Sequence, residues 1–185
     1  MSTLKTNQIQ TIAGKQILNS TGSIIQTVYG RSDAFTTYSA AASGDGTTVS
    51  ALSASITPIS ATNRIICNWI ICGEVGGVSD TVWLIHRNGA LITTAGEEGR
   101  NSISNNRWVG FAPTPYDVDF SSTPFSLGIQ YSQIAGTTST ITYSPAIRAS
   151  SGTVTTFYLN RPISSTGTDV YENSVSTFVL YEVVV

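Results

Sequence analysis

The run Arg64–Gly73, RIICNWIICG, decides how this chain folds. Only Arg64 and Asn68 interrupt its apolar character, and apolar residues fall at odd and even positions alike. A near-continuous apolar run rich in β-branched residues predicts a central strand covered on both faces. Further on, Thr81–His86 (TVWLIH) is followed by Arg87-Asn88-Gly89-Ala90 and then Leu91-Ile92-Thr93. Asn-Gly between two apolar runs predicts a tight hairpin, because a type I′ turn needs positive φ at both central residues.

The same grammar extends outward in both directions. Ser23–Tyr29 alternates, and Thr48–Ile59 keeps a period of two that ends at Pro58. Downstream, Phe125–Tyr131, Thr138–Arg148, Val154–Asn160 and Val175–Val185 read as strands, punctuated by Gly136, Ser151-Gly152 and Ser165-Thr166-Gly167. Convincing 3.6-residue periodicity is missing from every window. Eight or nine strands, with hairpin-length connections in the second half, predict an all-β fold. It is an antiparallel, jelly-roll-like β-sandwich over residues 24–185.

Two stretches do not read as strands. Residues 1–23 form an extended N-terminal arm, whose apolar residues Leu4, Ile9, Ile12, Ile17 and Leu18 are irregularly spaced on a Gln/Thr/Asn background. That pattern suits an attachment segment that docks onto another surface. Residues 95–124 form a long polar insertion carrying Trp108, Phe111, Pro113 and Pro115. Loops of this length in a compact domain are functional or partly structured as a rule.

Composition narrows the function. Charged residues make up 11% of the 185, against about 25% in an average domain. Ser (25) and Thr (26) fill the gap. With a net charge of −2 there is no basic surface for phosphates, which argues against nucleic acid. Apolar runs of a few residues do not span a membrane, and MSTLKTNQIQ lacks the apolar core of a secretory signal. Cys67 and Cys72 sit five apart, so on one strand they face opposite ways and lie about 16 Å apart. Both are expected reduced, as small core residues.

Candidate chemistry is sparse. His86, the single histidine, ends a strand beside the Asn88-Gly89 turn and is expected at a surface or interface. No G-x-S-x-G elbow accompanies the many Ser residues. Gly73-Glu74-Val75-Gly76-Gly77 lacks the Lys-Ser/Thr of a phosphate loop. Glu97-Glu98 and Asp117/Asp119 are the carboxylate clusters. They are read as solvated loop charges, with a cation site or glycoside hydrolysis as alternatives. Trp69 and Trp83 lie inside apolar strands and belong to the core. In the insertion, Trp108, Phe111 and Tyr116 stand with Arg100, Asn105 and Arg107. Flat rings with Asn and Arg nearby suit a glycan or protein receptor; packing in the core or against a neighbouring subunit is the alternative. Neither a catalytic residue, a cofactor nor a metal is expected.

The order of motifs along the chain carries a resemblance. Ile129–Arg161, IQYSQIAGTTSTITYSPAIRASSGTVTTFYLNR, followed by the closing strand STFVLYEV, resembles a β-sandwich domain of bacteriophage tail-fibre and virion-appendage proteins. Phages of marine bacteria and cyanobacteria are the main source of that domain. Ser55-Ile56-Thr57-Pro58 matches the family's SITP strand start, with Asn63-Arg64 where the family has Ser-Lys. LIHRNGALI resembles its LxRNGTxI hairpin, and Ala95–Arg100 loosely matches its AGSR-like loop. The opening MSTLKTNQIQTIAGKQILNSTGSIIQ is similar to the start of many phage tail proteins.

The resemblance implies a virion protein assembled in the host cytoplasm, most naturally a tail fibre or receptor-binding tip. It implies a homo-oligomer, expected as a trimer, whose arm docks on other phage tail or capsid proteins while distal loops meet a host glycan or protein. A capsid decoration protein is the main alternative; a lectin-like module and a carbohydrate-active enzyme are the others.

Overall fold

A computed structural model of the chain describes residues 21–42, 44–76, 80–99, 101–103, 107–115, 124–149, 153–165 and 172–185, with backbone only for 101–103, 107 and 108. The strands in chain order begin with β1 (Ile24–Ser32), β2 (Thr37–Ala40), β3 (Thr47–Thr48) and β4 (Ala54–Ile56). Next come β5 (Arg64–Gly76), β6 (Thr81–Arg87), β7 (Ala90–Leu91), β8 (Asn101–Ile103), β9 (Arg107–Val109) and β10 (Ala112–Pro113). The chain closes with β11 (Phe125–Ile134), β12 (Ile141–Ala149), β13 (Thr155–Leu159) and β14 (Ser176–Val183).

Two antiparallel sheets pack face to face, so the chain is a β-sandwich as the sequence predicts. In the first sheet the order is β1-β14-β5-β13-β2, with β11 on the other side of β5. The second runs β10-β6-β12-β3, with β4 on β12 and β7 on β6. β8 and β9 form a small separate hairpin. Short connections in the second half do not make hairpins between successive long strands. β11 lies in the first sheet, β12 in the second and β13 in the first again, so the chain crosses the sandwich at each link.

β5 is the central strand. Along its first part β14 and β11 flank it; from Gly73 onward β13 replaces β14. The handover requires glycine, because a Cβ on Gly73 would lie 2.2 Å from the Tyr158 carbonyl oxygen. A buried polar knot holds the same point. Asn160, at φ 62°, donates to the carbonyls of Ser32 and Ala34 and accepts from the Ser176 hydroxyl. That hydroxyl in turn accepts from Cys72 N–H at 2.9 Å.

The expectation that Arg64–Gly73 is covered on both faces holds for only part of it. Ile65, Cys67, Trp69 and Ile71 are buried, but Ile66 and Asn68 are half-buried and Ile70 is 53% exposed. Burial on both sides begins at Cys72, and beyond it the loop after β13 reaches the strand, with Ile163 N–H donating to the Glu74 carboxylate. Cys67 and Cys72 face opposite sides and are free thiols, as expected.

The alternation read over Thr48–Ile59 is not one strand. A single 3₁₀ turn at Ser50–Leu52 separates β3 from β4. Leu52, Ala54 and Ile56 still reach the core at every second residue, which is why the periodicity looked continuous, while Val49, from the opposite phase, is buried as well. The Asn88-Gly89 turn has φ of 52° and 80° and pairs Arg87 with Ala90, matching the predicted type I′ hairpin. Trp69 and Trp83 are in the core; their indole N–H groups donate to the Leu52 carbonyl and the Thr114 hydroxyl. Phe157 packs edge-on against Trp83 at 5.0 Å, joining the two sheets.

Candidate functional site

The insertion after β7, which does not read as strands in the sequence, is partly ordered into the short strands β8, β9 and β10. It leaves Leu91, returns at Gly99, carries the β8–β9 hairpin and then runs along β6 as β10. Two glycines allow the close approach to β6: a Cβ on Gly99 would lie 2.3 Å from the Ile85 carbonyl oxygen, and one on Gly110 2.3 Å from that of Trp83. Phe111 N–H completes the contact by donating to Trp83 O at 2.8 Å.

Glu97 anchors the loop and is not the solvated charge expected from sequence. Its carboxylate accepts from Ile134 N–H at 2.9 Å and lies 3.6 Å from the Arg64 guanidinium. Its carbonyl accepts from the Tyr131 hydroxyl at 2.6 Å. Glu98 is solvated, as expected; the Gly96 N–H bonded to its carboxylate holds its pKa below the usual value.

Of the residues proposed to meet a receptor, Phe111 is partly exposed and packs edge-on against Tyr131 at 5.4 Å. Trp108 and Arg107 lie in β9, their backbones opposite Ser102 and Ile103. Arg100, Asn105 and Tyr116 lie outside the described residues, as do Asp117 and Asp119 and the arm residues Leu4, Ile9, Ile12, Ile17 and Leu18. The structure therefore brings Phe111 and Glu97 together through Tyr131, and places no described carboxylate pair beside them. Among the described residues no three His, Cys, Asp or Glu side chains converge as a metal site.

His86 is buried, correcting the expectation of a surface position. Its Nε2 lies 2.8 Å from the Asp45 carbonyl and its Nδ1 2.8 Å from the Thr48 hydroxyl. A carbonyl only accepts, so Nε2 carries a proton and donates it to Asp45, while Nδ1 pairs with the Thr48 hydroxyl. The ring thus ties the segment around β3 over the outer side of β6.

A surface that the sequence reading did not single out is the outer face of the first sheet. Cross-strand register arranges it in rows over β1, β14, β5 and β11. The middle row is Tyr29, Val179, Asn68 and Gln130. On one side lie Arg31, Thr177, Ile70 and Gly128; on the other, Thr27, Tyr181, Ile66 and Ser132. Tyr29 is 68% exposed, and a shallow apolar trough runs between it and Ile70 over Thr177 and Val179. The signal was present in sequence as Ile66 and Ile70. It read as burial because an apolar residue on an uncovered face looks the same as one in a core.

Compared with known proteins, the chain matches no protein-family model and no curated protein.

Proposed function

We propose that the protein is a structural component of a bacteriophage virion, a tail fibre or its receptor-binding tip, acting by binding and not by catalysis. The observation that carries this reading is the order of motifs along the chain. The SITP strand start, the RNG hairpin, the FYLNR strand end and the closing STFVLYEV strand follow one another as in the family they resemble. In the sandwich they map onto β4, the β6–β7 turn, the end of β13 and β14.

In this reading the arm (Leu4, Ile9, Ile12, Ile17, Leu18) fixes a homotrimer to the tail. The insertion that carries Trp108 and Phe111 meets a host glycan or protein, and weak single contacts gain strength from several copies. Electron microscopy of intact particles labelled at this chain tests it. Label at the distal tail is the expected result. Label over the capsid lattice overturns the fibre reading in favour of capsid decoration. For the contact surface, Trp108→Ala is expected to lower host adsorption at unchanged thermal stability; unchanged adsorption removes the insertion from the receptor contact.

A further inference from the structure

We propose that Asn88 is a site of spontaneous deamidation, held shut by the folded β6–β7 turn and released when that turn opens. The inference goes beyond the virion reading and does not depend on it. Asn88-Gly89 is the sole Asn-Gly step in the sequence. Asparagine is a chemically labile residue, and a glycine after it leaves the attacking nitrogen unshielded. Both residues are exposed, and a Cβ on Gly89 would meet nothing within 4 Å. Water and hydroxide therefore reach this step of the chain from outside.

The reaction is a displacement at the side-chain amide. Hydroxide takes the proton from the Gly89 nitrogen, which then attacks Asn88 Cγ. The bond from Gly89 N to Cγ forms and the bond from Cγ to Nδ2 breaks. The departing nitrogen takes a proton from water, leaves as ammonia and returns the hydroxide. Water then opens the five-membered imide at either carbonyl. One opening gives aspartate. The other gives isoaspartate, in which the main chain runs through Cβ and Cγ.

Two features of the hairpin oppose ring closure. The first is the backbone. Asn88 has φ 52°, and the first central residue of a type I′ turn has ψ of about +30°. At that angle the Gly89 nitrogen lies across the Cα–C bond from Cβ, whereas a five-membered ring needs both on one side. Closure therefore requires Asn88 to rotate out of the turn. The second is a clasp to β12. Asn88 N–H donates to the Thr142 carbonyl at 2.8 Å, and Thr142 N–H donates to Asn88 Oδ1 at 2.9 Å. The clasp holds the carboxamide against Thr142. Reaction is thus confined to the fraction of molecules whose turn has opened locally.

The product makes that opening permanent. Isoaspartate adds a carbon atom to the backbone of a two-residue turn. The pairing of Arg87 with Ala90 and the clasp to Thr142 then no longer fit together. A chain so modified keeps a chemical record of having opened at this turn.

Incubation of the full chain at mildly alkaline pH, native and unfolded in urea, tests this by peptide mass mapping. In urea, Asn88 is expected to convert ahead of every other asparagine, to a mixture of isoaspartate and aspartate. In the native chain the same conversion is expected to be slower by roughly tenfold or more, the combined weight of two hydrogen bonds. Hydrogen exchange at the Thr142 N–H supplies a second readout that needs no variant. Its slowing should match the slowing of deamidation within about tenfold, because one opening exposes both. Native chain carrying isoaspartate is expected to lose that protection at Thr142. Earlier conversion at another asparagine in urea overturns the site, and a native rate equal to that in urea overturns its closure by the fold. A larger mismatch with exchange at Thr142 overturns the turn as the gate. Protection at Thr142 that survives isoaspartate formation overturns the permanent opening.

Discussion

Each of the two sheets has an outer face, and the described residues cover only one of them. Over the second sheet, the segment before β3 lies across β6 and β12. Gly46 sits against Ile147 O, Leu84 and Arg148, and His86 is bonded to Asp45 and Thr48. Leu84, Leu91 and Ala146 form a small second core beneath that cover. Over the first sheet no comparable segment lies among the described residues, and Tyr29 and Ile70 stand open. Both outer faces carry aliphatic side chains. The difference teaches that apolar character on a strand states a need for cover without stating who provides it.

Substitutions of the same chemistry on the two faces should separate them. Leu84→Ala, under the cover, is expected to cost about 2–5 kcal/mol through lost burial and a residual cavity. Chemical denaturation of the variant measures it, and a loss below the wild-type scatter would mean the cover collapses onto the gap.

His86→Ala removes the fastening of that cover. It leaves the Asp45 carbonyl without its His86 donor and the Thr48 hydroxyl without its ring partner, so a loss of about 1–3 kcal/mol is expected. Hydrogen exchange should rise first at Gly46–Val49; uniform exchange across the chain would place the effect elsewhere.

Between the faces, the shared core makes the fold sensitive to alkali. Burial pushes the Cys67 thiol and the Tyr131 and Tyr143 phenols up, with the Glu97 charge adding to the effect at Tyr131. Groups raised in the folded state contribute stability that is complete below their unfolded pKa values. It is lost as pH climbs beyond them, from about pH 9 upward. Denaturation midpoints should therefore be level between pH 7 and 8 and fall at pH 10; a flat profile to pH 10.5 would contradict the burial of these groups.

Ile70→Ala gives the smallest effect on the isolated chain. More than half of this side chain is exposed, so the change should stay within about 0.5 kcal/mol when measured on a monomer. A cost like that of Leu84→Ala at high protein concentration, and near zero on dilution, would locate the missing cover in a second copy.

How far the molecule was readable differs from feature to feature. The Asn88-Gly89 hairpin was fully legible, because its signal lies in two adjacent residues whose backbone preference survives any context. Strands β11 to β14 were legible as strands but not as partners. Alternation reports that a face is buried, while the sheet a strand joins depends on connections through space. β2, β8, β9 and β10 were missed: two to four residues are too few to show a period. The 3₁₀ turn at Ser50–Leu52 was hidden because its residues still deliver side chains to the core at the expected spacing. In the candidate site, Phe111 was singled out from its type and neighbourhood, whereas the Glu97–Tyr131–Ile134 contact joins residues more than thirty positions apart.

By itself the sequence determined that this is an all-β protein of low charge with a tryptophan-centred core. Local backbone preference and the transfer of apolar side chains from water act wherever the chain goes. Only the tertiary structure decided that Glu97 is an anchor, that His86 is a buried fastening and that the described residues leave one face of one sheet open. Each of those depends on which distant segment arrives to supply a partner, and no local rule along the chain carries that information.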